Sequence, residues 1–214
     1  MFNKLNGVTI MLLCIILMTS GFWIVRISLG QPLYLDQLTR VYVNGLAGSA
    51  VYIFFRWVTE LGSGTFLTPF VVVMSVVLWR QFRDWLPIIF FSMGTLTANG
   101  WNVLIKQLVE RERPSIFVAA NAEGYSFPSG HAMIPMVCYG FLAYLLARKL
   151  RSDKKAIAIR SGFALLIFLI GISRYVINVH YLTDVLAGFI FGFVYLMVLI
   201  YVYEWLGKKN MNVN

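Results

Sequence analysis

Apolar runs of near-membrane length recur along this chain, and they constrain its fold more than any other feature. A helix needs roughly 20 mostly apolar residues to cross the hydrocarbon core of a bilayer. Six runs approach or exceed that length, at about 7–28, 65–79, 85–108, 129–148, 156–175 and 181–206. The second is short, and Gly64 and Arg80 extend it. Composition agrees with this reading. The 214 residues are 59% hydrophobic and only 13% charged, about half the charged share of a soluble domain. That leaves too little polar surface for a soluble globule and too much apolar content for disorder. The expected fold is all-α: a polytopic membrane helix bundle of about six transmembrane helices, with residues 1–214 as one integral membrane domain.

The first run resembles a secretory leader, because Lys4 precedes an apolar stretch from Val8 to Met18. No small-residue cleavage site follows, and the apolar character continues through Phe22 to Val25, so a retained helix is expected. Residues 46–62 are apolar but carry Arg56 and Glu60. A charge at mid-bilayer costs about 2.5–3.5 kcal/mol on insertion scales, which places this stretch at the membrane surface as a short helix. Cys14 and Cys138 both lie in apolar runs with no metal or disulfide spacing, and they read as packing residues.

The net charge of +9 would suggest nucleic acid in a soluble protein. Here it is a topological signal, since basic residues gather on cytoplasmic loops. Six spans put both termini on one side. Lys4, Arg80, Arg83, Arg148, Lys149, Arg151, Lys154, Lys155, Arg160, Lys208 and Lys209 fall on that side, 11 of the 18 basic residues. Arg26, Arg40, Arg56, Lys106, Arg111, Arg113 and Arg174 fall on the other. The bias predicts cytoplasmic N- and C-termini in a multi-pass protein of the cell membrane. Lys106, Arg113 and Arg174 then stand at helix ends on the outer face, where topology does not call for them.

The only two histidines, His131 and His180, are expected at that same face. Three short patterns collect these residues. Lys106 and Arg113 are seven apart, a spacing that shares one helix face, and Pro114 disfavours helix at Arg113. Pro128-Ser129-Gly130-His131 opens the fourth long span, where a serine N-cap and free backbone N–H groups suit an anion. Arg174, His180 and Asp184 form the third pattern, with His180 and Asp184 at i and i+4.

These three patterns, in this order, resemble the tripartite signature of the type 2 phosphatidate phosphatase family. The motifs reach from Lys106 to Asp184 and fill every signature position. The resemblance implies a core shared with acid phosphatases and vanadium haloperoxidases. It implies a metal-independent phosphoric monoester hydrolase that works through a phosphohistidine formed on His180. Among compact bacterial members it points to phosphatidylglycerophosphate as the lipid substrate, yielding phosphatidylglycerol and phosphate. Undecaprenyl diphosphate and phosphatidic acid are the alternatives, because the motifs read a phosphoryl group and not a lipid.

The residues support the same roles on physical grounds. Phosphoryl transfer spreads negative charge over the equatorial oxygens, so positioning and charge stabilisation dominate. Lys106, Arg113 and Arg174 supply positive charge, with arginine's planar fork suited to phosphate. Ser129 and the Gly130 backbone add hydrogen bonds. His180 has a carboxylate one turn on that can hold one ring nitrogen and free the other for attack. His131 is left as general acid. No carboxylate cluster suited to magnesium is present; no cofactor, no nucleic acid and no obligate protein partner is expected beyond the lipid substrate and the bilayer.

Thr95, Asn99, Asn102 and Lys106 form a polar stripe down the third long span. Interhelical hydrogen bonding is expected for its members ahead of substrate contact. Arg56 with Glu60, and Glu123 with Tyr125, are read as solvated groups that could also meet a lipid head group. Two rivals of another class remain. A lipid transporter or flippase would break its helices near the membrane centre, and Gly94 and Gly100 permit this. A lipid-binding scaffold would need neither histidine.

Overall fold

The computed structural model describes residues 7–114 and 124–211, which form eight helices. Lys4 and Glu123 lie outside the described residues. In chain order the helices are α1 (Gly7–Ser28), α2 (Tyr34–Val43), α3 (Ala50–Glu60), α4 (Gly64–Phe82), α5 (Trp85–Val109), α6 (Gly130–Arg148), α7 (Asp153–Val176) and α8 (Leu182–Met211). Helices α4 to α8 are long and apolar enough to cross a membrane. Helix α1 has 22 residues, but its apolar stretch Cys14–Ser28 is shorter than a crossing, so five of the about six expected spans are present among the described residues. The chain is thus a multi-pass membrane protein. Helix α5 runs unbroken past Gly94 and Gly100.

Residues 46–62 fold as expected into a short helix, α3. Helix α2 has no counterpart among the predicted elements. Ten residues with Asp36, Gln37 and Arg40 are too short and too polar to register as a span. Its burial is inverted relative to a soluble helix. Asp36 is buried, whereas Tyr34, Leu38, Val41 and Tyr42 are exposed. Such a helix suits a membrane interface, with its apolar side towards lipid.

Local signals fix the helix ends. The side chains of Ser49, Ser63 and Asp84 accept from Tyr52, Phe66 and Leu86 backbone N–H groups and start α3, α4 and α5. Glu110 ends α5 in the left-handed region (φ 49°), with its N–H bonded to the Lys106 carbonyl at 2.9 Å. The end of α7 is closed by Asn178 (φ 59°), and the N–H groups of Val179 and His180 both bond the Arg174 carbonyl, at 3.1 and 3.2 Å. That turn accounts for the arginine-to-histidine spacing, because it folds His180 back over Arg174.

Helix α6 lies at the centre, packed by α5, α7 and α8. Membrane helices gain nothing from the hydrophobic effect against lipid, so close contact relies on small residues. Gly188 and Gly192 provide it on α8. A Cβ at Gly188 would stand 2.6 Å from the Ser129 carbonyl oxygen, and one at Gly192 would stand 2.7 Å from that of Met133. Both obstacles are backbone. Gly188→Ala is therefore expected to destabilise the bundle by about 1–3 kcal/mol, read as a lower unfolding temperature in detergent. Gly162→Ala, where an added Cβ meets nothing within 4 Å, is expected not to lower it.

Candidate active site

Four helix ends converge at one end of the bundle: the C-termini of α5 and α7 and the N-termini of α6 and α8. They bring together all eight residues singled out from the sequence. Lys106, Arg113, Gly130, His131, Arg174 and His180 line one cavity of about 580 Å³. Ser129 and Asp184 are buried behind it. The same cavity continues between α4 and α5 past Leu67, Val71, Leu96 and Asn99, and α4 is exposed along Val72, Val73, Val76 and Val77. The recess thus joins a polar head to an apolar side that opens towards lipid.

His180 is 3% exposed and is held from both ring nitrogens. Its Nδ1 lies 3.3 Å from Asp184 Oδ2, and its Nε2 lies 3.1 Å from Arg113 Nη1. A guanidinium can only donate, so Nε2 must accept and Nδ1 must carry the proton. The tautomer that leaves the Nε2 lone pair facing the cavity is therefore set by its partners. Burial pushes the His180 imidazole well below its ordinary pKa of 6.5, and Arg113, Arg174 and Lys106 push it the same way.

Asp184 is fully buried and its carboxylate is saturated. Oδ2 accepts from the Tyr181 N–H at 2.9 Å, from the Ser126 hydroxyl and from His180. Oδ1 accepts from Arg111 Nη1 at 2.5 Å. The α6 N-terminus is tied to the same residue, because the Ser129 N–H donates to the Asp184 carbonyl at 3.0 Å.

The cations stand around the recess. Lys106 Nζ donates to the Tyr125 carbonyl. Arg113 donates from Nε to the Gly124 carbonyl at 2.8 Å and from Nη1 to the Val179 carbonyl at 2.9 Å. Arg174 donates from Nη1 to Thr59 Oγ1 at 3.0 Å. Two atoms are left over. Ser129 Oγ and Arg174 Nε are buried and have no hydrogen-bond partner among the described residues, although buried polar atoms are nearly always paired. A donor with positive charge and a hydroxyl, both unpartnered beside a cavity, suit an anion with several oxygens.

Lys106 and Arg113 do not share a helix face, because α5 stops at Val109. They meet instead at the Tyr125 carbonyl, where Arg113 Nη2 also reaches, at 3.4 Å. On the polar stripe, Asn102 Nδ2 donates out of its helix to the Pro128 carbonyl at 3.2 Å, whereas the Thr95 hydroxyl donates to the Phe91 carbonyl of its own helix and not to a neighbour as expected. Thr95, Asn99 and Asn102 all line the cavity together with Lys106. Among the described residues no ion pair joins Arg56 and Glu60. Sequence reasoning missed Asp36, Thr59, Ser126 and Thr183, and it counted Arg111 only as an outer-face charge. Among the described residues, no three His, Cys, Asp or Glu side chains are grouped to hold a metal ion.

A carboxylate-paired histidine, a second histidine and a ring of cations thus stand together at one end of a membrane helix bundle. The chain belongs to the PAP2 superfamily, whose profile matches residues 85–208. It is 33% identical over 141 residues to phosphatidylglycerophosphatase B of Bacillus subtilis (strain 168), a match covering 63% of this chain and 66% of that relative's length. The fold is similar to the crystal structure of the transmembrane PAP2-type phosphatidylglycerolphosphate phosphatase from Bacillus subtilis. There the TM-score is 0.77 at 23% identity, over 87% of this chain and 95% of that one. It is also similar to LpxE of Aquifex aeolicus, with a TM-score of 0.59 at 21% identity over 77% and 93% of the two chains.

Proposed function

We propose that this protein is a membrane lipid phosphatase that hydrolyses phosphatidylglycerophosphate to phosphatidylglycerol and phosphate through a phosphohistidine. The observation that carries the reading is His180, locked to Asp184 through Nδ1 with Nε2 turned to a cationic cavity that opens between α4 and α5. Superfamily membership and the relative named for this activity support it.

In this reading the substrate's phosphate takes up the unpartnered Ser129 hydroxyl and Arg174 Nε, the Gly130 N–H, Lys106 and Arg113. Phosphate oxygens are stronger acceptors than a neutral imidazole, so Arg113 transfers its Nη1 from His180 to the substrate. The His180 Nε2 lone pair attacks phosphorus as the ester P–O bond breaks. His131 gives its proton to the leaving oxygen, and Asp184 faces the imidazolium that forms. Water then attacks the phosphohistidine, His131 takes the proton, and the P–N bond breaks to release phosphate and neutral His180. The chemistry routes no step through a metal.

The acyl chains lie along the apolar part of the cavity and reach the bilayer between α4 and α5. The basic residues at the far end support cytoplasmic termini and an active site at the extracytoplasmic face of the cell membrane. Residues 1–214 act as one phosphatase domain without a protein partner. Undecaprenyl diphosphate and phosphatidic acid are the competing substrates.

The test is phosphate release by the purified protein in detergent with a chelator present, across phosphatidylglycerophosphate, undecaprenyl diphosphate and phosphatidic acid. Fastest release from the first supports the assignment. Preference for another reassigns the substrate, and release from none, in folded protein, overturns the reading.

A pH dependence follows from His180. The nucleophile must be neutral, and burial with Arg113, Arg174 and Lys106 holds its pKa well below 6.5. The groups facing it are Lys106 from α5, His131 from α6, Arg174 from α7, Asp184 from α8 and Arg113 from the preceding loop. Protonation of the nucleophile therefore cuts kcat/KM only on the acid side of pH 6.5. Arg113→Gln removes one of the lowering charges and is expected to move that acid limb to higher pH.

A further inference from the structure

Asp36 lies 147 residues before Thr183 and belongs to α2, outside the family's three motifs, yet it is built into the wall behind the histidine. Its Oδ1 accepts the Thr183 N–H at 3.0 Å. Its Oδ2 accepts the Thr183 hydroxyl at 2.7 Å and Arg111 Nη2 at 2.6 Å. The other arm of the Arg111 fork, Nη1, donates to Asp184 Oδ1 at 2.5 Å. The Arg111 guanidinium also lies 3.9 Å from the centre of the Tyr181 ring. The result is a buried carboxylate–guanidinium–carboxylate line that ends on the histidine's own partner.

The charges of this line matter more than its bonds. Asp184 with Arg111 alone is a neutral pair, which offers little to an imidazolium developing on His180. Asp36 brings the line back to a net charge of −1. Docking of α2 does not need Asp36 alone, because the Tyr175 hydroxyl also holds α2 through the Thr39 carbonyl at 2.5 Å. Burying a second carboxylate is costly unless it is paired, and here the pairing falls where the proposed chemistry creates positive charge.

We propose that Asp36 and Arg111 are positioning residues for phosphoryl transfer. Arg111 fixes the Asp184 carboxylate against His180, and Asp36 on the interfacial helix α2 offsets the Arg111 charge so that Asp184 still stabilises the charged ring. The proposal rests on the phosphatase reading given above.

The test is single-turnover phosphate release from the fastest substrate of the panel with enzyme in excess and saturating, where the rate constant does not depend on the fraction of enzyme folded. Asp36→Asn is expected to lower that rate constant by about 10–100-fold, the usual cost of removing such an outer partner. Its steady-state KM is expected to stay within about twofold of wild type. The double variant Asp36→Asn/Arg111→Gln, which returns the line to −1, is expected to be faster than Asp36→Asn. A purely structural ion pair predicts the reverse, since the double variant loses more bonds. Asp36→Asn at the wild-type rate, or a double variant no faster than the single, overturns the proposal. Should Asp36→Asn yield no folded protein, the double variant decides: a rate within about 30-fold of wild type supports the proposal and a slower one overturns it. Wild type and His180→Ala are run alongside. An inactive wild type fails the phosphatase reading itself and an active His180→Ala fails its phosphohistidine step, whereas failure of the Asp36 variants beside a normal wild type and a dead His180→Ala fails only this proposal.

Discussion

His180→Ala is expected to lower phosphate release by about 10⁴-fold or more, because losing the group that forms the covalent intermediate removes the pathway and not one contact. The remaining structure explains why the loss should be confined to chemistry. Alanine removes a ring that touches Asp184 and Arg113, but each keeps other partners. Asp184 retains Arg111, Ser126 and the Tyr181 N–H, and Arg113 retains the Gly124 and Val179 carbonyls. The variant should fold, and Lys106, Arg113, Arg174 and Ser129 should still bind phosphate. Inorganic phosphate is therefore expected to raise the unfolding temperature of His180→Ala as it does that of wild type. Retained binding with lost turnover separates an enzyme from a transporter or scaffold. Turnover near the wild-type rate in the variant would remove the phosphohistidine from the mechanism.

The site was legible where its residues are near neighbours in sequence. A serine, glycine and histidine at the start of an apolar run, or a histidine and aspartate one turn apart, carry their geometry with them. So did α3, since Arg56 and Glu60 could not sit at mid-bilayer. The parts that stayed hidden depend on contacts across the chain. Arg111 and Asp36 are 75 residues apart, and nothing near either marks it as a partner of Asp184. Helix α2 escaped because ten residues of mixed polarity match neither a span nor a loop. The end of α5 near residue 108 was legible as the end of an apolar run, but not the left-handed turn at Glu110 that takes Arg113 off the face of Lys106, because its residue type does not announce that conformation. The Gly188 and Gly192 pair was not read from the sequence, because its meaning depends on α6 crossing there.

His131→Gln is the second large loss, and it discriminates by leaving group. General acid catalysis contributes about 10²–10⁴-fold when the departing oxygen is a poor leaving group. The alkoxide of a phospholipid head group is one, so its release should fall by that amount. The phenolate of p-nitrophenyl phosphate departs without a proton, so the first step on this ester should stay close to the wild-type rate. The second step should not, because His131 also takes the proton from the attacking water. The variant is therefore expected to release p-nitrophenol in a stoichiometric burst and then turn over slowly as the phosphohistidine accumulates. The position of the ring fits this role. It lines the cavity on the first turn of α6 while Asp184 is committed to His180. The turn between α3 and α4 closes against it at Gly62, where a Cβ would lie 3.1 Å from His131 Cδ2. Equal losses on the two esters in the leaving-group step would mean that His131 stabilises charge on the phosphoryl group. The proton would then have to reach the leaving oxygen by another route, and Lys106, on the facing wall of the same cavity, would be the first residue to replace.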